Sequence, residues 1–344
     1  MRPYEHGGDI YTNHNIKLDF SVNTNPLGMP ASVKETLIKH IPVYENYPDP
    51  LCRELRSALA TQHGLDISMI INGNGASELI WALGAAIRPK QVLIPAPTFS
   101  EYQRAAALFG GRVEEYLLES PSFSLTESIL AKLTPDVDMV FLCNPNNPTG
   151  QLSDPALLNK IADICCHNGT LLILDECFID FTHGPSMLPQ LEKYPNLLIL
   201  QAFTKIYALA GLRLGTLYCA DKVLLAKIAD YLPPWNVSSV AQTAGIAALQ
   251  EKDWIKNTQM IVARERAFME SALARLGLTV YKSEANYLLI KSENRLYEPL
   301  KQRGILVRSG ANFTGLDERY IRIGLKTHDK NLVLVHAIEE VLHG

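Results

Sequence analysis

Between about residues 70 and 220, short apolar runs alternate with stretches whose apolar residues recur at helical spacing. That alternation predicts β-α units feeding a mostly parallel sheet. The runs at 91–95, 137–143, 171–175, 196–203 and 214–219 are apolar throughout and bounded by polar residues, Gly or Pro. Strands buried on both faces have this pattern. Between them, 76–87, 99–110 and 154–167 predict helices, punctuated by Gly or Pro.

From residue 253 a long helical pattern runs to 276, and strand-like runs follow at 278–281, 287–291, 305–308 and 320–325. The expected organisation is an arm over 1–50 rich in Asn, Pro and Gly and without a clear core element, a large domain over 51–250 and a smaller α+β domain over 251–344. The arm is expected to pack on the small domain or on a neighbouring subunit.

Composition narrows the class. The 344 residues are 47% hydrophobic and 20% charged, with a net charge of −4, which excludes disorder and gives no general grip on nucleic acid or anionic lipid. The polar start MRPYEHGGDIYTNHN lacks the apolar stretch of a signal peptide, and no run of about 18 apolar residues follows, so a cytoplasmic protein without membrane contact is expected. Six cysteines, with Cys165 and Cys166 adjacent and no C-x-x-C, together with nine scattered histidines, predict neither disulfides nor a metal site.

Ligands of parallel α/β sheets bind beyond the carboxyl ends of the strands. There the chain places Asn147 in Asn144-Pro145-Asn146-Asn147-Pro148-Thr149-Gly150, Asp175 ending an apolar run, and Lys205 after Thr204, with Arg213 eight residues later. Taken singly these have ordinary explanations as turn, cap and snorkelling residues. In this order they supply what a pyridoxal phosphate site needs: a ring contact, an anion for the pyridine nitrogen, a Schiff-base amine and a phosphate clamp. Gly75, Ala76 and Ser77, at the start of a helical pattern, add backbone donors for a phosphate.

Through N-P-N-N-P-T-G, D-E-x-F, T-K and G-L-R-x-G the whole chain resembles the fold-type I pyridoxal phosphate enzymes. Within them it resembles the pair formed by histidinol-phosphate aminotransferases and the threonine-phosphate decarboxylases of cobalamin biosynthesis. It looks more like the latter on four segments: His6-Gly7-Gly8-Asp9, residues 19–28, residues 175–181 and residues 305–313.

The resemblance implies an α/β fold with a mostly parallel central sheet, pyridoxal 5'-phosphate as cofactor and a phosphorylated amino acid as substrate. It assigns Lys205 and Asp175 to catalysis, Phe99 to stacking on the ring and Thr204 and Arg213 to the phosphate. Tyr47 would reach the cofactor from the other subunit of a homodimer. Arg322 matches the arginine that clamps the substrate's acid group, and His6, Gly7, Gly8, Arg308 and either Asn23 or Asn25 are candidates for its second anion, with Asn147 also facing substrate. Phe178 stands where related aminotransferases carry Tyr, which favours decarboxylation over transamination. Lys205 and Asp175 together argue against a non-catalytic regulator.

Overall fold

The computed structural model describes residues 6–12 and 14–343. Its large sheet has seven strands in the spatial order Ile70–Gly73, Gly215–Cys219, Leu197–Ala202, Leu171–Asp175, Met139–Cys143, Gln91–Ala96 and Arg112–Leu117. Gly215–Cys219 runs antiparallel to both neighbours, and every other adjacent pair is parallel. Side chains alternate between two cores: Val140, Leu142, Leu172, Leu174 and Ile199 point into one, Phe141, Ile173, Leu198 and Leu200 into the other. Helices Ala76–Ile87 and Ser100–Leu108 cover the second face, and Pro155–Asn168 and Ser239–Leu249 the first. Burial on both sides is why the inner strands read as unbroken apolar runs.

The two strands that the sequence pattern misses are the two edges. Arg112–Leu117 carries Glu114 and Glu115 and has no deeply buried face. Ile70–Gly73 has only four residues and runs straight into the glycine-rich turn. Edge strands need not be apolar, so hydrophobic runs do not reveal them.

The 22-residue helix Trp254–Arg275 leads to an antiparallel sheet in the order Arg308–Ser309, Tyr320–Gly324, Tyr287–Lys291 and Thr279–Val280. The strand expected at 305–308 divides in two. Ile305–Leu306 pairs in parallel with Leu18–Asp19, while Arg308–Ser309 pairs with Tyr320–Gly324, the chain changing partners at buried Val307. Where the sequence shows no clear core element in the first 50 residues, the structure has one: Phe20 and Val33 are fully buried, and Ala31–Lys39 is a helix. Residues 1–5 of the arm lie outside the described part. Among the described residues no helix is long and apolar enough to cross a membrane.

Candidate active site

One cavity of about 710 Å³ opens beyond the carboxyl ends of the parallel strands and is shared by both sheets and the N-terminal segment. At one end the strand Ile70–Gly73 turns into helix Ala76–Ile87, with Gly75 as its N-cap at φ 80° and no side chain capping the first turn. Ala76 and Ser77 line the cavity there, so the helix's unpaired N–H groups face it. A Cβ on Gly75 would strike the Arg213 guanidinium, and one on Gly215 would strike the backbone nitrogen of Ala76. Only glycine lets turn, strand and arginine approach this closely. Arg213 itself has φ 62° and donates from Nη1 to the Ala210 carbonyl at 3.2 Å; buried Thr204 lines the same wall.

Asp175 is the last residue of its strand, in register with Cys143 on the neighbouring strand. Its Oδ2 accepts from the Tyr102 hydroxyl at 2.5 Å, and its Oδ1 accepts from the Cys177 N–H at 2.9 Å. The Asn-rich turn divides its labour. Asn144 Oδ1 accepts from the Ser153 N–H at 2.8 Å and Asn146 Nδ2 donates to the Pro97 carbonyl at 2.9 Å, so these two staple the loop. Asn147 is left facing the cavity, where its Oδ1 accepts from Arg322 Nη1 at 2.5 Å. Phe99 lies at the N-cap of Ser100–Leu108, edge-on to Tyr102 at 5.5 Å.

Lys205 sits in the four-residue helix Phe203–Ile206, directly after strand Leu197–Ala202. Its Nζ lies 5.9 Å from the centre of the Phe178 ring. Burial, and next the Arg322 charge, bring its amine down to about 8. Cys143 and Cys177 also line the cavity, but burial pushes both thiols well above their ordinary range, so they are poor nucleophiles.

From the small sheet come Arg322 and Arg308, which stand opposite each other in the antiparallel register. Arg322 is 7% exposed; its Nη2 donates to the Ser21 carbonyl at 2.6 Å, and burial, then Arg308, lower its guanidinium to about 9. Its Nε has no protein partner, nor has the buried Oδ1 of Asn23, another lining residue. Arg308 Nη2 donates to Asn312 Oδ1 at 2.7 Å, and its guanidinium lies 4.9 Å from the Phe313 ring centre. His6, Gly7 and Gly8 complete this wall.

Two expected site residues stand elsewhere. Asn25 does not line the cavity: its Nδ2 donates to the Ile206 carbonyl and to Thr258 Oγ1, both at 2.7 Å, and its N–H donates to the Lys205 carbonyl at 3.0 Å. It buttresses the lysine from behind. Tyr47 is 80% exposed and packs on Trp235 at 4.7 Å, away from this chain's own cavity. Conversely, Glu101 and Tyr102 line the cavity without having been singled out. The signal available was their place in sequence: Glu101 and Tyr102 follow Phe99 within one helical turn.

The donor set fits pyridoxal phosphate. The uncapped helix start with Arg213 and Thr204 suits a dianionic phosphate, Asp175 suits a pyridinium N–H, and Lys205 is the lining amine. This is the architecture of the fold-type I pyridoxal phosphate enzymes. The chain belongs to the aminotransferase class I and II family, whose model matches residues 15–338. It is 42% identical over 333 residues to the threonine-phosphate decarboxylase of Salmonella typhimurium, covering 95% of this chain and 92% of that one. The histidinol-phosphate aminotransferase from Clostridium acetobutylicum superposes with a TM-score of 0.89 at 32% identity, over 95% of this chain and 99% of the other. The L-threonine-O-3-phosphate decarboxylase from Porphyromonas gingivalis gives 0.84 at 25%, over 95% and 100%.

Proposed function

We propose that the protein decarboxylates O-phospho-L-threonine, releasing carbon dioxide and leaving (R)-1-amino-2-propanol phosphate for cobalamin biosynthesis. One observation carries the reading at the site: Arg308 and Arg322 face each other across the small sheet and both line the cavity. Like charges directly opposed across strands are destabilising unless an anion lies between or beside them. A substrate with both a carboxylate and a phosphate supplies two. The 42% identity to a threonine-phosphate decarboxylase supports the same substrate.

Each residue's part follows from its surroundings. Arg322, buried and held by Asn147 and the Ser21 carbonyl, is preset for a planar acid group, and Arg308, with His6 and Gly7 on the same wall, suits the second anion. Asp175, fixed by two donors, keeps its carboxylate aimed into the cavity. Lys205, brought down to about 8, can hold or release a proton at Nζ near neutral pH. Pyridoxal phosphate, when bound, supplies the electron sink for the pair left at Cα as a bond there breaks. For decarboxylation a proton takes the place of the lost carboxylate at Cα.

The working unit we propose is a cytoplasmic homodimer. The exposed Tyr47–Trp235 pair supports it as the part of the surface that would meet a second copy and reach its phosphate cradle. The division into an arm over 1–50, a large domain over 51–250 and a small one over 251–344 belongs to the same reading. Product analysis tests the reaction: phosphothreonine should release carbon dioxide with no keto acid present. Stoichiometric glutamate from histidinol phosphate and 2-oxoglutarate, without carbon dioxide, would assign aminotransfer instead.

A further inference from the structure

Glu101 is a carboxylate where the cavity has most use for cations. It is 6% exposed, and charged side chains are seldom buried unless paired. Three donors converge on it: His6 Nε2 at 2.8 Å and Arg104 Nη1 at 2.9 Å on Oε1, and Trp81 Nε1 at 3.1 Å on Oε2. The hydrogen bond from His6, the largest influence, helps hold its carboxyl down to about 2. The same His6 ring lies 5.7 Å from the Phe99 ring. Two residues on, the Gly8 N–H donates to Ser21 Oγ at 2.7 Å, and the Ser21 carbonyl is the acceptor for Arg322. The segment from His6 to Gly8 therefore bridges two parts of the cavity lining, fastened at Glu101 on one side and at Ser21, beside the arginines, on the other.

We propose that Glu101 is a positioning residue: by anchoring His6 it holds the N-terminal segment across the cavity and so sets affinity for the phosphorylated substrate. The inference rests on the substrate reading above. A purely structural carboxylate, serving Trp81 and the start of its helix, would stabilise the fold equally well without influencing the segment. The two roles separate in what happens at residues 6–12.

The test uses the holoenzyme in wild-type, Glu101→Gln, His6→Ala and doubly substituted forms, with Trp81→Phe as a variant that removes one donor to Glu101 without touching His6. Hydrogen exchange over residues 6–12 and steady-state kinetics with phosphothreonine are read for each. Glu101→Gln should lose amide protection over 6–12 and raise KM about tenfold while kcat stays within about twofold. His6→Ala should do the same, and the double variant should be no worse than His6→Ala, because the two residues act as one unit. Trp81→Phe should leave protection intact. Unchanged protection in Glu101→Gln, additive KM effects, or equal loss of protection in Trp81→Phe would overturn the proposal. Should Glu101→Gln fail to fold, His6→Ala against Trp81→Phe still decides whether the ion pair holds the segment. If wild-type enzyme does not turn over phosphothreonine, the substrate reading falls while hydrogen exchange still judges the anchor.

Discussion

The Tyr102 hydroxyl donates to Asp175 Oδ2 at 2.5 Å, and the Tyr102 ring is stacked on Phe141 at 5.0 Å and 10°. Tyr102 is 1% exposed, so this bond is made in a dry environment where hydrogen bonds to charge are strong. Together with the Cys177 N–H on Oδ1, it fixes the orientation of the carboxylate that would meet the cofactor's ring nitrogen. Tyr102→Phe should lower kcat about tenfold, the worth of one hydrogen bond to a charged group, with KM for substrate nearly unchanged. Steady-state kinetics check this, and a rise in KM alone would place Tyr102 with the substrate instead.

Lys205→Ala should abolish turnover and the visible absorbance of bound cofactor together. Among the residues lining the cavity it alone carries an amine. Absorbance spectroscopy after borohydride treatment decides: a protein-bound, reducible cofactor in the variant would refute the lysine assignment.

The same lysine carries a pH signature in the cofactor-free protein. Its amine falls from 10.5 to about 8 on folding, so below pH 8 the folded state bears a charge it holds poorly. Between pH 8 and 10.5 the unfolded chain binds more protons than the folded one, and stability from this group rises with pH. Lys205→Met should therefore stabilise the apoprotein at pH 7 by about 2 kcal/mol, a figure reduced for solvent screening because the residue is not fully enclosed. Denaturant melts should show that gain shrinking as pH climbs toward 10.

Arg213→Lys should weaken cofactor binding about tenfold and leave the product unchanged, since an ammonium cannot reproduce a guanidinium's paired hydrogen bonds to phosphate. Gly75→Ala should weaken it too and also lower the melting temperature, because the new Cβ strikes Arg213 at a backbone with φ 80°. Cofactor titration and thermal melts separate the two effects.

Arg308→Gln should raise stability by about 0.5 kcal/mol, because it removes a like-charge pair, and on the substrate reading proposed above it should raise KM for phosphothreonine at least tenfold. Loss of stability in this variant would mean that Arg308 serves the fold first.

How much of this was legible in the sequence follows from what each residue touches. Asp175 and Lys205 stand out because each ends or follows a strand buried on both faces, where a charged residue interrupts an apolar run. Asn147 and Arg213 are marked by the turns around them. Glu101 and Tyr102 are invisible for the opposite reason: an acid in a helix's first turn and an aromatic one residue on suit any amphipathic helix. Asn23 and Asn25 show the converse, because an asparagine in a polar loop reads equally as ligand or staple: Asn25 is bonded to Ile206 and Thr258, while Asn23 lines the cavity. The facing of Arg308 and Arg322 is a matter of strand register, which neither residue encodes by itself.

Ile206 accepts from both Asn25 Nδ2 and Trp254 Nε1, at 2.7 and 2.8 Å, and Asn25 also holds Thr258. Trp254 and Thr258 are the first and fifth residues of the long helix that carries the small sheet. The peptide next to the lysine is thus tied to the first turn of that helix, so the amine's place is set jointly by an N-terminal asparagine and by the helix that leads to the two arginines.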